Sequence, residues 1–564
     1  MRQASRLPIR LWAWLGRPAT ARRATWVVPL LFGVISILLR QDNNWDLRNY
    51  HIYNPFAWLN GKIGVDLAPG QWQSYFNPTL DLLYYFLARG LPGPAAGFVM
   101  GALHGLNFIL VAAIARELLP RQPDAGRLSI LLAMAGMLGS GFVSEIGNTM
   151  GDNVTALFVS GALLLVLKNW TSPGQRGNDM AMLAAGILAG IGAGLKLTNA
   201  VYALALCLAL LVAPASPLQR LRIASTFGTG VLLGIGISAG HWYWKMWTVF
   251  GNPLFPQFNN IFHAPLAAPL GIGDTHWLPN GWLERLSWPF LFASDPNRVS
   301  ELKLSLLIWP ILYVAFIALS MQAMMRRPRC APGDSHDVSR LAMVWTFFGA
   351  SYLIWMNLFS IYRYLVPLEL LAPLVLWLIA QRLLPGRRTA LVVSAVLVTV
   401  IAATFVTSPS WGRAKWAYQS FRADVPAMAH PEQSIVFTVH ADPPMGWLAA
   451  MFPVKLAFVS LGSGFPESEA FRERIDSMMS ARRGPLYVMT KHEHAGTAPA
   501  QETNRRRLEN ARRILANYGL VMVPTSCRSH SAFVGHARFD FQLCQVKRKE
   551  PFSPGQEGMR LDER

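Results

Sequence analysis

An acid, a base and several aromatic residues stand together directly after the first long apolar segment of the chain. The stretch WDLRNYHIYNPF contains Asp46, Arg48, Tyr50 and His51. A carboxylate at a membrane surface can act as the general base for an acceptor hydroxyl when partial burial adjusts its pKa. We therefore predict Asp46 as a catalytic residue and Arg48, Tyr50 and His51 as substrate-binding residues. A solvated loop acid beside an interfacial aromatic belt would produce the same pattern.

A second group of acids lies in SEIGNTMGDN, residues 144–153, between two apolar segments. Glu145 and Asp152 are costly at a membrane boundary unless they are solvated or used. Gly147 and Gly151 permit a tight turn between them. We predict that both acids belong to the catalytic site, with Asp152 as the N-cap of the following helix as the structural alternative.

Two cations interrupt apolar sequence at positions suited to an anionic ligand. Lys196 splits a largely apolar stretch in GAGLKLTNAVY, and Arg363 lies between two tyrosines in SIYRYLVPLELL. A guanidinium binds phosphate oxygens bidentately, and an ammonium binds them as a point charge. We predict a lipid-phosphate site formed by Lys196, Arg363 and Tyr362. A snorkelling lysine and an interfacial Tyr-Arg-Tyr anchor are the structural alternatives.

The long segment 244–303 opens with WKMWTVFGNPLFPQFNNIF, which is rich in aromatic residues, Asn and Pro. Loops of this length are usually functional or disordered, and the aromatic content argues against disorder. The segment would offer stacking surfaces for a sugar or a prenyl chain. His263, Asp274 and His276 would form a metal set, but nothing in their spacing requires one. We therefore predict no metal site, and a divalent cation stays open as a cofactor.

The composition is that of a membrane protein. Hydrophobic residues make up 52% of the 564 residues and charged residues only 15%, and the mean hydropathy is +0.28. Since a transmembrane helix needs roughly 20 apolar residues, we predict about eleven such helices. They cover residues 25–41, 95–115, 128–144, 153–168, 180–195, 197–213, 223–243, 304–325, 341–358, 365–381 and 388–407.

Basic residues fall in alternate loops between these segments, which assigns the loops to the cytoplasm under the positive-inside rule. This pattern explains the net charge of +20 better than nucleic acid binding does. The N-terminus is basic and lacks a small-residue cleavage site, so we predict that it is retained in the cytoplasm. The basic loops contain Arg22 and Arg23; Arg116, Arg121 and Arg127; Lys168 and Arg176; Arg220 and Arg222; Arg326, Arg327, Arg329 and Arg340; and Arg382, Arg387 and Arg388.

The opposite, outer face then receives most of the unusual polar residues. It contains 42–94, 145–152, the turn at Lys196, 244–303, 359–364 and everything after 408. Within it, NPTLDLLYYFLARGL (77–91) is too short and too charged to span comfortably, so we predict an amphipathic helix on the outer surface.

The polar tail predicts a small α/β domain. SIVFTVH (434–440), PLYVMT (485–490) and YGLVMVP (518–524) are typical of strands, and 502–517 of an amphipathic helix. Strands that alternate with helices indicate this class, and the helix count places the domain in the periplasm. We also predict a disulfide between Cys527 and Cys544. Residues 1–24 are the predicted cytoplasmic N-terminus, 25–407 the transmembrane catalytic domain and 408–564 the C-terminal domain with a flexible tail.

The sequence contains no motif that is typical of nucleotide-dependent enzymes. The sequence contains no Walker A loop, no HExxH and no Rossmann fingerprint. An enzyme that works outside the membrane would need an activated substrate delivered by a lipid.

Residues 25–410 resemble a bacterial GT-C superfamily glycosyltransferase, an integral-membrane enzyme that uses polyprenyl-phosphate sugars. The chain is similar to the dolichyl-phosphate-mannose mannosyltransferase and aminoarabinose transferase type. The resemblance rests on the order and sidedness of loose motifs. These are Asp46, the helix 77–91, the acids Glu145 and Asp152, LKLTN, GNPLFP (251–256) and YRYLVP (362–367).

This resemblance implies a GT-C-like membrane fold with surface helices in the first outer loop, in a bacterial inner membrane. It implies Asp46 as the base in an inverting transfer and Lys196 and Arg363 as contacts of the donor phosphate. Asp152 or Glu145 would assist. The chain lacks the Asp-Glu pair typical of protein O-mannosyltransferases and the WWD-like motif of oligosaccharyltransferases, which leaves the acceptor open among glycans, lipids and proteins.

Two other functions compete with glycosyl transfer. A transporter or flippase for a lipid-linked saccharide would place polar residues near the bilayer midplane and often show internal repeats. Here the span centres are nearly free of charge and the halves show no repeat. A polymerase or assembly subunit would also need an outer active face, so the sequence separates it poorly from a transferase. The expected partners are a polyprenyl-phosphate sugar and the lipid bilayer, with no nucleic acid.

Overall fold

The protein is described by a computed structural model over residues 12–120, 122, 124–170, 176–271, 273–325, 335–439, 445–494 and 497–549. Predictions that concern Arg121, Arg326, Arg327, Arg329, the Arg176 side chain and the end of the tail lie outside these residues. The chain forms two compact units. The first unit comprises Met1–Asn44, Gly90–Trp244 and Gly273–Arg413, and the second comprises Trp45–Arg89, Lys245–Ile272 and Ala414–Arg564.

The first unit is helical, and each of the eleven predicted segments overlaps a helix, but 128–144 is interrupted between Gly136 and Ser140 and 197–213 begins in the 3-10 turn Leu197–Asn199. Among the described residues, eight helices are long and apolar enough to cross a membrane, while Ala125–Gly136 and Leu197–Leu210 are shorter apolar helices. The chain is therefore a polytopic membrane protein, as predicted. The helix bounds are Pro18–Leu39, Gly93–Gly105, Asn107–Leu118, Ala125–Gly136, Ser140–Ser144, Asp152–Lys168, Arg176–Leu195, Ala200–Leu210, Pro217–Phe250, Gly281–Ser294, Ile308–Met325, Ser335–Leu358, Val366–Leu383 and Arg387–Thr407.

The helix Val366–Leu383 forms the centre of the first unit, because every residue from Val366 to Ala380 is buried. A second packing feature is a glycine seam between Arg176–Leu195 and Pro217–Phe250. A Cβ on Gly186 would stand 2.1 Å from the Phe227 carbonyl oxygen, and one on Gly190 would stand 2.1 Å from that of Val231. Small residues thus let the two backbones touch, as in many membrane helix pairs. The seam fixes the helix that ends directly before Lys196.

The backbone breaks at Lys196, as the sequence predicted. The helix ends at Leu195, Lys196 is extended, and a short 3-10 turn Leu197–Asn199 leads into Ala200–Leu210. A lysine inside one continuous apolar helix would have to reach the membrane surface by itself. The break instead exposes the end of one helix and the start of the next at the same point.

The second unit contains the predicted small α/β fold. Its main sheet runs in the order Ala457–Leu461 (β5), Ile435–Val439 (β4), Leu486–Lys491 (β6), Phe541–Arg548 (β11) and Leu520–Met522 (β7), and Arg528–His530 (β8) pairs with β11. β4 is parallel to β5 and β6, whereas β11 is antiparallel to β6, β7 and β8. Helices Glu469–Ala481 and Ala498–Ala516 accompany the sheet. The strand bounds from β1 to β11 are Gln41–Asp42, Arg413–Ala414, Phe421–Ala423, Ile435–Val439, Ala457–Leu461, Leu486–Lys491, Leu520–Met522, Arg528–His530, Ala532–Val534, Ala537–Arg538 and Phe541–Arg548.

Cys527 and Cys544 form the predicted disulfide. Cys527 directly precedes β8 and Cys544 lies in β11. The bond therefore links two neighbouring antiparallel strands. Cys207 is a free, half-buried cysteine.

The first polar loop, 45–89, folds with the tail strands of the second unit. It contains a π-helical turn Leu47–His51, helix Tyr53–Leu59, a 3-10 turn Gln71–Tyr75 and helix Leu82–Gly90. The predicted helix over 77–91 therefore begins later, at Leu82, because residues 78–81 form a turn that precedes it. Leu67 adds a parallel bridge to Val459 of β5. The tail thereby holds the loop that carries Asp46.

Candidate active site

Four of the predicted site residues come together in the first unit: Glu145, Asp152, Lys196 and Arg363, here called the acid–cation cluster. The loop between helices Ser140–Ser144 and Asp152–Lys168 supplies both acids. Gly147 and Gly151 have φ of +71° and +87°, a left-handed conformation that glycine adopts at little cost. The two predicted turn glycines are thus required by the backbone.

Asp152 pairs with Lys196 and does not cap its helix. The helix Asp152–Lys168 has Gly151 as its N-cap and no side-chain cap. The Lys196 ammonium lies 2.6 Å from the Asp152 carboxylate and donates a hydrogen bond of 2.8 Å to the Met150 carbonyl. It also lies 5.2 Å from the centre of the Tyr364 ring. The N-cap alternative for Asp152 is therefore wrong, and Lys196 is held by specific partners.

Glu145 is completely buried, and no donor of the described residues bonds to either of its carboxyl oxygens. Burial raises the pKa of Glu145 well above its ordinary value; the charge of Asp152 raises it further, while Lys196 and Arg363 lower it. A raised pKa favours the protonated, neutral form of a carboxyl group. With Glu145 neutral, the four side chains of the cluster sum to a positive charge.

Arg363 lies in the 3-10 turn Tyr362–Leu365. Its guanidinium is 5.3 Å from the centre of the Tyr364 ring and 5.7 Å from that of Trp411, and it contacts the Met150 sulfur. Aromatic faces attract such a cation while leaving its edge for hydrogen bonds. The arrangement is one that can bind a phosphate.

The hydroxyl group of Tyr362 is hydrogen-bonded to other side chains of the protein. It donates to Glu369 at 2.5 Å and accepts from the Trp309 indole at 2.9 Å. Glu369 in turn accepts from the backbone N–H groups of Gly141 and Phe142 at 3.1 and 2.9 Å. Tyr362 and Glu369 together hold the helix Ser140–Ser144, and with it the start of the loop that carries Glu145.

Sequence reasoning missed Asp42 and Glu369. Asp42 is buried and accepts from both the backbone N–H and the hydroxyl of Thr149, each at 2.8 Å. Asn44 completes this bond set with 2.9 Å contacts to both carboxylate oxygens of Asp42. Asp42 thus braces the middle of the loop between Glu145 and Asp152. The sequence did contain a signal for each of these residues. Asp42 lies four residues before Asp46, and Glu369 is an acid inside an apolar span.

Asp46, Arg48, Tyr50 and His51 all lie in the second unit. Asp46 directly precedes the π-helical turn Leu47–His51 and is 9% exposed. Arg48 stacks at 4.7 Å over the Phe539 ring, and Tyr50 packs edge-on against Phe76. A π-helical turn is rare and frequently marks a functional site.

The His51 imidazole is bonded to Asp81 through Nδ1 at 2.7 Å. Both residues are buried, with 4% and 6% of their surface exposed. The Nε2 atom of His51 is buried and bonds to no atom of the described residues. The sequence offered no signal for Asp81, because it lies 30 residues after His51.

The aromatic residues of the GNPLFP segment pack among themselves. The Phe250 and Phe255 rings stack at 4.3 Å between centres, and Tyr75 packs edge-on against both. These buried rings are core of the second unit, so the expected sugar-stacking surface is not formed by them. Among the described residues, no three His, Cys, Asp or Glu side chains are grouped so that they would hold a metal ion, and Asp274 bonds instead to the Trp277 indole.

No family model matches the chain, and no curated protein matches it. A solved structure to which the chain is similar is the crystal structure of ArnT from Cupriavidus metallidurans in the apo state. The identity is 13% and the TM-score 0.48, over 92% of this chain and 97% of that chain. At this identity and TM-score the similarity is too distant to assign a family or a function.

Proposed function

We propose that the protein is an integral-membrane glycosyltransferase that moves a sugar from a polyprenyl-phosphate donor to an acceptor hydroxyl. The observation that supports it is the acid–cation cluster, in which Lys196 and Arg363 lie close to Glu145 and Asp152. Such a net positive group within a membrane protein suits the phosphate of a lipid. The membrane is the bacterial inner membrane and the active face is periplasmic, with the N-terminus in the cytoplasm.

In the proposed reaction Asp46 removes the proton of the acceptor hydroxyl as that oxygen attacks the anomeric carbon. The bond between the anomeric carbon and the phosphate oxygen breaks, and polyprenyl phosphate leaves with the electron pair. Lys196 and Arg363 stabilise the charge that develops on the leaving phosphate. Asp152 keeps the Lys196 ammonium in place, and Glu145 contributes a neutral carboxyl group.

Arg48, Tyr50 and His51 bind substrate in this proposal, since they share one backbone turn with Asp46. In this proposal the chain consists of a membrane catalytic domain over 25–407 and a periplasmic domain over 408–564. The tail strands hold the loop that contains Asp46, so in this proposal the C-terminal domain helps to position the base.

The test is turnover of a panel of undecaprenyl-phosphate-linked hexoses and pentoses by the purified protein in nanodiscs. Wild type should release undecaprenyl phosphate and transfer the sugar, whereas Asp46→Asn should lose transfer by about 100-fold or more. The matched control is Asp476→Asn, because Asp476 is an exposed acid on a tail helix. Full transfer by a normally inserted Asp46→Asn protein would exclude Asp46 as the base.

Donor binding by Arg363→Ala tests the phosphate site separately. We expect weaker binding of both the donor and undecaprenyl phosphate, and partial recovery in Arg363→Lys. Unchanged donor affinity would remove Arg363 from the phosphate site. Movement of the intact donor across the bilayer without release of undecaprenyl phosphate would indicate a flippase instead.

A further inference from the structure

The His51–Asp81 pair is a fixed imidazole with one engaged and one unused nitrogen. Nδ1 lies 2.7 Å from the Asp81 carboxylate. A carboxylate only accepts hydrogen bonds, so the proton of this bond sits on Nδ1. In the neutral ring Nε2 then carries a lone pair and acts as an acceptor.

The Nε2 atom of His51 lacks a hydrogen-bond partner among the described residues. The atom is also buried. A buried acceptor without a partner is costly, so buried polar atoms nearly always have one. The fitting partner is a hydrogen-bond donor, and a sugar or acceptor hydroxyl is such a group.

The position of His51 in the backbone connects this nitrogen to the proposed chemistry. Asp46 precedes the π-helical turn and His51 ends it. Tyr50 packs against the imidazole with 4.2 Å between ring centres, so the ring plane is restricted on that side as well. An imidazole whose tautomer and orientation are both fixed can accept a hydrogen bond from a hydroxyl group at one defined position.

We propose that Asp81 holds His51 in the Nδ1–H tautomer so that Nε2 accepts a hydrogen bond from one hydroxyl of the bound substrate. This inference rests on the proposed glycosyl transfer. His51 is then a substrate-binding residue, and Asp81 is a positioning residue that affects the substrate through His51.

Asp81→Asn separates this role from a structural one. The variant keeps the side-chain volume, but its amide can donate to Nδ1, which moves the ring proton to Nε2 and turns the acceptor into a donor. We expect turnover to fall about tenfold or more in Asp81→Asn and in His51→Phe, with no change in the exposed control His536→Gln. In the His51→Phe background, Asp81→Asn should have no further effect. Equal losses in both backgrounds would show that Asp81 does not act through His51.

Donor affinity distinguishes the two sources of the hydroxyl. If His51→Phe weakens binding of the turned-over undecaprenyl-phosphate sugar, the hydroxyl belongs to the donor sugar. If donor affinity is unchanged and only transfer falls, the hydroxyl belongs to the acceptor. If both quantities are unchanged, the inference is wrong while glycosyl transfer stands. Absence of any turnover by wild type would overturn both.

A measurement on the wild-type protein covers the case in which the variants do not fold. In ¹⁵N spectra of histidine-labelled protein in nanodiscs, one ring should show a protonated Nδ1 and an unprotonated Nε2. That Nε2 signal should move when the sugar donor and acceptor are added together. A protonated Nε2, or a signal that stays unchanged because it bonds only a buried water, would contradict the proposal.

Discussion

The Lys196 ammonium and the Asp152 carboxylate are 2.6 Å apart although the two residues come from different helical segments. Asp152 is 3% exposed and the Lys196 side chain 18%. A pair buried to this extent contributes little net stability, but removal of one partner leaves an uncompensated charge. We expect the pair to serve the site by keeping a cation at this position.

Lys196→Met should lower the free energy of unfolding by about 3–5 kcal/mol and abolish transfer, since Asp152 is left buried without its partner. The double variant Lys196→Met/Asp152→Asn should regain most of the stability and none of the transfer. Thermal unfolding in detergent and the transfer assay measure the two effects. Transfer by the double variant at the wild-type rate would show that the pair is only structural.

Glu145 should make stability depend on pH in a defined direction. Because burial raises its folded pKa, the folded protein keeps a proton that the unfolded chain releases above the ordinary glutamate pKa of about 4.3. The free energy of unfolding therefore falls as the pH rises from that value toward the raised pKa.

Glu145→Gln carries no such proton, so its melting temperature should lack this decrease and exceed that of wild type at high pH. A series of melting curves from acid to alkaline pH tests this, with the exposed Glu473→Gln as the control. Parallel curves for wild type and Glu145→Gln would mean that Glu145 is ionised in the folded protein.

The attachment of the first polar loop to the tail should depend on Lys62 and Asp66. The two charges are 3.0 Å apart and almost fully buried, and Asp66 also accepts from the Phe458 backbone in β5 at 2.9 Å. Lys62 lowers the pKa of Asp66 against the larger effect of burial, which raises it.

Lys62→Met should therefore cost about 3–5 kcal/mol of unfolding free energy and increase proteolysis within 45–89. Transfer should fall with it, because the same loop carries Asp46. The exposed Lys455→Met serves as the control. If loop cleavage increases while transfer is retained, the tail is not needed to hold the catalytic loop.

The Cys527–Cys544 bond should stabilise the tail. It closes a loop with a sequence separation of 17, for which chain entropy gives about 3 kcal/mol. Cys527→Ser/Cys544→Ser should lower the melting temperature by a corresponding amount, and Cys207→Ser provides the control. Since such bonds persist in oxidising compartments, protein trapped with an alkylating reagent in cells should be fully bonded. Reduced thiols would argue against a periplasmic tail.

The membrane helices could be predicted because hydropathy over roughly 20 residues is a local property. The break at Lys196 was visible for the same reason, as one charge interrupts an apolar run. Strands such as Ile435–Val439 were recognisable by their continuous β-branched and aromatic content. Cys527 and Cys544 both fall in the polar tail, which favoured a bond between them, and the folded chain brings them together.

The partners of the site residues could not be read from the chain. Asp42 braces Thr149 across 107 residues, and Asp81 orients His51 across 30. Such contacts are set by how helices and strands pack, and no local pattern encodes which acid meets which donor. For the same reason the sequence predicted Asp152 and Lys196 separately, but only the folded chain joins them into one ion pair beside the buried Glu145.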